Sequence, residues 1–298
     1  MNSNRKKSQL YEIFWQTNWK IPNTNLTLLG HSKAAEKTGF IIPQLGIFLD
    51  AGIQGYHEPH YIFITHCHSD HTFGLPMLLT GIQSNPKIYV PNGTEDLYTN
   101  FIKSTFELST GGKDIDLSFF KILGVSPKDS FAFSAKTRKF EIQVFQCDHT
   151  VPTVGYGFSE KTTKLKTEYH GLSGKKIKEM RENKEDIFIE KINKFLCYLG
   201  DTTPLVFELN PEILQYSTII IECTFLSQEN QKNAAERKHI CWNDLLPYVA
   251  KNPNVTFVLI HFSFRSSDEE ILEFFEKEKK ANDLKNLIVW LDYQTEIK

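Results

Sequence analysis

The sequence predicts an α/β fold in which helices pack on the outside of β-sheets. Short apolar runs that end at Gly, Pro, Asp, Asn or His recur along the chain, as expected for buried strands that stop at a polar edge. Amphipathic stretches separate several of these runs. Because no linker rich in Pro or Ser divides the 298 residues, we expect one domain over residues 1–298.

Ten runs are predicted as strands. They are NLTLLG, GFIIP, GIFLDAG, YIFITH, KIYVP, KFEIQVFQC, KFLCYLGD, STIIIECTF, VTFVLIHF and LIVWLD. Helices are predicted in GLPMLLTGIQS, TEDLYTNFIKSTFEL, NDLLPYVAKN and SDEEILEFFEKEKKAND. Strands and helices that alternate in this way are typical of layered α/β proteins.

The composition excludes several classes of protein. A chain that is 40% hydrophobic and 13% aromatic can fill a core, which excludes wholesale disorder. No run approaches the roughly 18 apolar residues of a membrane span, and the N-terminus does not read as a secretory signal. The formal net charge of -2 argues against a globally basic surface. The 5 cysteines include no CxxC pair, which favours free thiols in a reducing, cytoplasmic setting.

One segment differs in charge from the rest of the chain. Residues 161–184 carry eight Lys or Arg against three Glu, a local charge of +5. Two interpretations stay open: a solvated helix face with its connecting loop, or a surface that contacts a phosphate backbone.

The string HCHSDH carries the main chemical signal. Its His66, His68, Asp70 and His71 follow the predicted strand YIFIT. Residues i and i+2 of an extended segment project the same way, so the side chains of His66 and His68 can converge on one position. Asp70 and His71 follow them and can reach a second position nearby. Imidazole and carboxylate together suit Zn²⁺, with Mn²⁺ or Fe²⁺ as possible substitutes.

Three further polar residues stand at strand ends: His149, Asp201 and His261. The carboxyl ends of strands are where α/β folds gather their active residues. Singly, each could be a turn Asp or a His bonded to backbone. Together with the HCHSDH loop they form a consistent candidate metal shell.

This string resembles the signature of the metallo-β-lactamase superfamily, and the chain is more closely similar to the ribonuclease Z family, endonucleases that trim tRNA precursors at the 3′ side. The similarity runs from about Asn25 to the C-terminus and includes FLDAG, YLGDTT, IIIECTF, KHI and HFSFR. The resemblance implies a four-layer αβ/βα sandwich with two Zn²⁺ ions, and a homodimer.

The resemblance also assigns the ligands to two groups. One zinc ion would be bound by His66, His68 and His149, and the other by Asp70, His71 and His261. Asp201 would bridge both ions, and Asp50 in FLDAG would orient a ligand imidazole.

The implied reaction is hydrolysis of the phosphodiester at the 3′ side of precursor tRNA by metal-bound hydroxide. Asp70 is expected to accept the proton of the attacking water. His239 in KHI, supported by Glu222 in IECTF, is expected to assist the leaving ribose oxygen. Arg265 in HFSFR is expected either to clamp a phosphate or to make a surface ion pair.

The chain departs from its relatives at two places. The stretch LLGHSKAAEKTGFIIP lacks their Pro-x-Lys-x-Arg-Asn motif, and the segment before Asp201 is shorter than their arm and has no Gly-Pro tip. We therefore predict a shortened arm over residues 161–194 and an N-terminal extension over residues 1–24. The lysines expected to contact tRNA are Lys175, Lys176 and Lys178.

Three alternatives remain at this point. A phosphodiesterase could act on small or cyclic nucleotides through the same metals. A non-catalytic RNA-binding or dimer-partner module could keep the fold, although it would not need Asp201 or His239. Thioester or lactam hydrolysis is disfavoured by IECTF together with KHI.

Overall fold

Two seven-stranded sheets face each other in the computed structural model, which describes residues 18–55, 57–135 and 137–291. The first sheet consists of β1 Asn18–Lys20, β2 Thr27–Lys33, β3 Lys37–Ile42, β4 Ile47–Leu49, β5 Tyr61–Phe63, β6 Lys87–Pro91 and β7 Lys121–Val125. Its strands lie in chain order, antiparallel from β1 to β4 and parallel from β4 to β7.

The second sheet repeats this pattern. It consists of β8 Ser130–Ala135, β9 Arg138–Gln146, β10 Val154–Leu165, β11 Phe188–Tyr198, β12 Thr218–Glu222, β13 Thr256–Ile260 and β14 Leu287–Val289. These strands are antiparallel from β8 to β11 and parallel from β11 to β14. Each sheet therefore ends in parallel strands whose carboxyl ends share one edge.

The helices are mostly short. They are α1 Ser69–Thr72, α2 Leu75–Leu78, α3 Glu95–Thr110, α4 Gly174–Glu182, α5 Val206–Leu209, α6 Gln231–Arg237, α7 Trp242–Lys251 and α8 Asp268–Ala281. Single 3₁₀ turns span Thr167–Tyr169, Pro211–Gln215 and Gln228–Asn230. Among the described residues, none of these helices has both the length and the apolar character needed to cross a membrane.

Aromatic side chains fill the space between the sheets. Phe63 on β5 lies 5.2 Å from Tyr156 on β10, measured between ring centroids, and Phe40 on β3 lies 6.0 Å from Tyr198 on β11. All four rings are fully buried in one cluster that draws on both sheets. This cluster is the inner core.

The outer faces are covered by helices because alternate residues of a strand point to opposite sides. Ile220 belongs to the inner core, whereas its neighbours Ile219 and Ile221 pack with Trp242 of α7 and Phe275 of α8. The outer face of the first sheet packs in the same way against α2 and α3. The predicted α/β sandwich of four layers is thereby confirmed.

All ten predicted strands occur, as β2 to β6, β9 and β11 to β14. Four strands were not predicted: β1, β7, β8 and β10. The predicted helix GLPMLLTGIQS is wrong in its extent, because within this stretch the structure has only the single turn α2, Leu75–Leu78.

The basic segment forms the end of a hairpin. The outer parts of β10 and β11 pair from Ser159↔Lys194 to Leu165↔Phe188, and α4 lies between them in sequence. At the other end of the chain, residues 18–20 of the predicted N-terminal extension form edge strand β1, while residues 1–17 lie outside the described part.

Candidate metal centre

The predicted ligands meet at the edge where the parallel strands of both sheets end. Asp50 follows β4, the HCHSDH string follows β5, Asp201 follows β11, and His261 follows β13 directly. Asp50 and His261 adopt left-handed backbone conformations, with φ of 56° and 62°. Non-glycine residues rarely adopt such values, and they concentrate at functional sites.

The first group of ligand atoms lies around His68. Its Nδ1 is 3.1 Å from His66 Nε2 and 3.2 Å from His149 Nε2. Asp201 Oδ2 stands 3.7 Å from His66 Nε2. These four side chains offer ligand atoms that all lie within 4.8 Å of one another.

The second group contains Asp70, His71 and His261. Asp70 Oδ2 is 3.2 Å from His261 Nε2 and 3.6 Å from His71 Nε2. Asp201 stands between the two groups, because its Oδ1 is 3.4 Å from His71 Nε2 and its Oδ2 is 3.4 Å from His261 Nε2. The structure thus brings together all seven residues expected to be ligands.

Neighbouring groups fix which nitrogen of each imidazole faces the centre. The Thr65 hydroxyl donates to Asp50, so it accepts from His66 Nδ1 at 3.0 Å. His149 Nδ1 donates to the Lys238 carbonyl at 2.9 Å. Because a neutral imidazole has one donor and one acceptor nitrogen, Nε2 of both rings presents a lone pair to the centre.

Two buried atoms of the cluster have no hydrogen-bond partner among the described residues: His71 Nε2 and Asp201 Oδ1. Buried polar atoms left in this state are costly. A cation between them would satisfy both, and it would also separate the converging nitrogen lone pairs around His68. The donor set therefore fits a divalent metal ion.

Asp50 is fully buried and contacts His71, one of the residues expected to be ligands. Its Oδ2 lies 2.8 Å from His71 Nδ1 and accepts from Tyr198 Oη at 2.6 Å. Its Oδ1 accepts the Thr65 amide at 2.7 Å. The carboxylate therefore holds His71 with Nε2 directed at the centre.

Burial and the neighbouring charges shift the pKa values of two histidines of the cluster in opposite directions. Burial, with a contribution from the charge of His71, lowers the pKa of His66 well below its usual range. Burial also opposes protonation of His71, yet the carboxylates of Asp201 and Asp50 raise its pKa well above the usual range. Asp70 is desolvated, but its hydrogen bond to His261 and the charge of His71 lower its pKa to about 2.

His239 stands beside the cluster and is paired with Glu222. Its Nδ1 donates to Glu222 Oε1 at 2.8 Å and lies 3.9 Å from Asp201 Oδ2. Burial alone would lower the pKa of His239, but Glu222 raises it to about 9. With Asp201 and His261, His239 also forms a third group at ligand spacing. Since its Nδ1 carries the proton shared with Glu222, this nitrogen is not available to a metal.

Thr224 was missed by sequence reasoning. Its hydroxyl donates to Glu222 Oε2, so it accepts from His261 Nδ1 at 3.1 Å. Thr65, Tyr198 and the carbonyl of Lys238 were missed as well: Thr65 contacts His66, the Lys238 carbonyl accepts from His149, and Tyr198 donates to Asp50. All four lie within three residues of a predicted site residue, which is a usable signal, although Lys238 and Tyr198 are distant in sequence from His149 and Asp50, the residues that they contact.

The remaining predicted residues lie outside the cluster. The guanidinium of Arg265 donates to Asn230 Oδ1 at 2.5 Å and lies 5.5 Å from the ring centroid of Phe225. The three lysines predicted to contact tRNA are exposed on α4, where Lys176 lies 3.4 Å from Glu179.

Comparisons with known proteins agree on the family. The family model for the β-lactamase superfamily domain matches residues 52–262. tRNase Z TRZ1 of Arabidopsis thaliana is 29% identical over 265 residues, which cover 84% of this chain and 88% of that protein. A ribonuclease Z of Methanococcus maripaludis is 31% identical over 241 residues, 73% of each chain.

Among solved structures, the short form of human tRNase Z (ELAC1) superposes with a TM-score of 0.50 at 21% identity. The match covers 79% of this chain and 92% of that one, and at this identity it bears on the fold alone. The family model and the curated relatives carry the assignment. The chain belongs to the ribonuclease Z family of the β-lactamase superfamily.

Proposed function

We propose that the chain is a metal-dependent endoribonuclease that hydrolyses the phosphodiester at the 3′ side of tRNA precursors. The observation that carries this proposal is the His239–Glu222 pair, which stands within 3.9 Å of the carboxylate between the two ligand groups. The metal cluster alone would suit many hydrolases of the superfamily, whereas the pair adds a proton donor beside it. Membership of the ribonuclease Z family supports tRNA as the substrate.

We infer that the site holds two zinc ions, one in each ligand group. When bound, they would supply Lewis acidity and a water of lowered pKa for attack on phosphorus. The residues that would hold them are His66, His68 and His149 for one ion, and Asp70, His71 and His261 for the other. Asp201 would contact both ions, because its oxygens lie within 3.7 Å of nitrogens of both groups.

The chain's own residues would move the protons. Asp70, ionised at neutral pH with a pKa of about 2, would accept the proton of the attacking water. His239 Nδ1 is engaged by Glu222 at 2.8 Å, so His239 Nε2 would donate to the leaving ribose oxygen. Arg265, exposed on the loop after His261, would exchange Asn230 for a phosphate oxygen of the RNA.

The first test pairs metal content with cleavage. The purified protein would be analysed for zinc and offered a 3′-extended precursor tRNA and, separately, bis(p-nitrophenyl) phosphate. We expect about two zinc ions per chain, a single cut beside the acceptor stem, and loss of that cut in His239→Ala with the zinc retained. Turnover of the small diester alone would assign the chain to the small-nucleotide phosphodiesterases instead.

We also propose that the shortened arm, residues 161–194, contacts tRNA through Lys175, Lys176 and Lys178. These side chains are exposed on α4, at the end of the long β10–β11 hairpin. Each screened contact contributes about 1 kcal/mol or less, but several act together on a polyanion through counterion release.

Reversing these three lysines to Glu should raise the KM for precursor tRNA several-fold and weaken its salt dependence, with turnover of the small diester little changed. The matched control is the same reversal at Lys277, Lys279 and Lys280, which lie in the last turns of α8. An equal loss on both substrates, or in the control, would contradict a role for the arm.

A homodimer, a cytoplasmic location and a single domain complete the proposal. The first follows from the resemblance and the second from the cysteines, since the five in the described residues are free thiols and four of them are buried. Sedimentation equilibrium would test the dimer, and a single unfolding transition would support one domain.

A further inference from the structure

Phe264 is an exposed aromatic side chain on the loop that follows His261. It is 62% exposed, whereas Phe262 in the same loop is buried. Single exposed apolar residues are common on protein surfaces and need no explanation by themselves. Phe264 differs from other exposed apolar residues in two respects: its loop is anchored beside the metal cluster, and its ring contacts a buried lysine.

The loop is tied to both sides of the metal cluster. The Ser263 amide donates to the Thr224 carbonyl at 3.1 Å, which joins it to the side of Glu222 and His239. On the other side, the Ala34 amide donates to the Phe262 carbonyl at 3.2 Å, and the next amide, of Ala35, donates to Asp70 Oδ2 at 2.9 Å.

This anchoring limits how far the ring lies from the reacting phosphate. Three residues of extended chain span at most about 11 Å, so Phe264 stays close to His261. An RNA strand whose phosphate rests on the cluster would carry an adjoining nucleotide past this side chain.

A charged pair lies against the ring. The Nζ of Lys33 lies 5.6 Å from the centroid of the Phe264 ring and bonds Asp268 Oδ1 at 2.9 Å. The Lys33 side chain is only 11% exposed, so its position is fixed by the surrounding protein. A cation over the ring favours this orientation, and the side chain is otherwise mostly open to solvent, being 62% exposed.

We propose that the open face of Phe264 stacks a nucleobase of the RNA strand beside the scissile phosphate. The proposal rests on the proposed function and adds a substrate contact to it. Every nucleobase has a π-face, so stacking on an aromatic side chain tolerates any sequence. Because the contact with Lys33 favours one orientation of the ring, less conformational entropy is lost when a base binds than for a freely rotating side chain.

The test combines protein and RNA changes in one cycle. Wild type, Phe264→Ala and Phe264→Trp would be compared on a 3′-extended precursor tRNA and on two altered versions of it. Each version has one abasic nucleotide, in one RNA on the 5′ side of the cut and in the other on the 3′ side. The alanine variant should lose about 5- to 150-fold in kcat/KM on intact RNA, the range of one stacked base. On the abasic RNA that lacks the stacked base, Phe264→Ala should have nearly the same kcat/KM as wild type. On intact RNA, Phe264→Trp should restore the activity that Phe264→Ala loses.

Zinc content and turnover of bis(p-nitrophenyl) phosphate separate stacking from damage to the metal centre. Leu108→Ala, which truncates an apolar side chain that is 83% exposed near the end of α3, is the matched surface control. The proposal would be overturned if Phe264→Ala lowered kcat/KM by the same factor on both abasic RNAs as on intact RNA. It would also be overturned if turnover of the small diester fell to the same extent.

A binding measurement keeps this inference distinct from the proposed function. If wild type does not cut precursor tRNA, the proposed function fails, and the protein would be titrated with single-stranded RNA containing 2-aminopurine. A fluorescence change present in wild type and absent in Phe264→Ala supports stacking. The same change in both proteins refutes it.

Discussion

At the scale of single residues, the candidate site depends on the partners of its ligands as much as on the ligands. The Nδ1 atoms of His66, His71, His149 and His261 each meet a different neighbour in the protein. These contacts direct Nε2 of each ring to the centre before any metal binds. Such outer partners typically change metal affinity or activity by 10- to 100-fold when removed.

Thr224 offers the sharpest test at this scale, because one hydroxyl serves both Glu222 and His261. Thr224→Val keeps the shape but removes the hydroxyl, so cleavage of precursor tRNA should fall by about 10- to 100-fold. The free energy of unfolding should fall by about 1–3 kcal/mol. Thr224→Ser is the control and should stay near wild type in both kinetics and urea denaturation. A fully active valine variant would show that the hydroxyl is dispensable.

Asp50 should govern metal affinity through His71. In Asp50→Asn the amide nitrogen faces donors such as the Thr65 amide or the Tyr198 hydroxyl, so one buried donor loses its partner. We expect zinc affinity, measured by competition with a chelator, to fall about 10- to 100-fold. Asp116→Asn, at an exposed carboxylate, is the control. Unchanged affinity in Asp50→Asn would rule out this role.

At the scale of elements, the turn after β11 determines where Asp201 lies. Gly200 has φ of 59°, a left-handed value, and a Cβ added there would lie 2.6 Å from Thr65 Oγ1. This close approach lets the end of β11 meet the end of β5, which joins the second sheet to the first at the site. A larger residue would separate Asp201 from the histidines that follow β5.

Gly200→Ala should therefore destabilise the chain more than backbone strain alone explains. The left-handed conformation costs an alanine about 1–2 kcal/mol, and overpacking against Thr65 should add about 1–3 kcal/mol. Gly81→Ala is a matched control, since φ is 71° and nothing lies within 4 Å of the added Cβ. Urea denaturation would compare the two variants. Equal losses would mean that Thr65 moves aside at no cost.

At the scale of the whole molecule, the cluster connects the two sheets. His66, His68 and His71 follow a strand of the first sheet, whereas Asp201 and His261 follow strands of the second. A metal ion that contacts ligands from both would act as a cross-link between the halves of the sandwich. Its binding free energy would then be part of the folding free energy.

Chelation should consequently lower the stability of the protein as a whole. A ligand present at 100 times its dissociation constant contributes about 2.7 kcal/mol, and a metal ion bound more tightly would contribute more. We expect EDTA to lower the melting temperature by several degrees and added zinc to restore it. His239→Ala, which removes no ligand, should respond like wild type. A melting temperature unaffected by metal removal would show that the cluster does not cross-link the sheets.

Much of the architecture could be predicted from the sequence, because ten strands and their polar ends follow from local periodicity. Strand β10 could not, because Gly155 and Gly157 interrupt its apolar pattern. The structure shows why they are small: a Cβ at Gly157 would lie 2.3 Å from the Tyr216 hydroxyl. Only packing between distant segments reveals such a requirement.

The sequence by itself determined the family and the residues of the candidate metal centre, because metal-binding residue types at characteristic spacings can be recognised without a structure. Tertiary structure alone decided how those ligands are held. Tyr198 reaches Asp50 across 148 positions, and Lys33 at the end of β2 in the first sheet contacts Phe264 in the loop after β13 of the second. These contacts join residues far apart in the chain, and no local pattern encodes them, because they form only when the two sheets pack together.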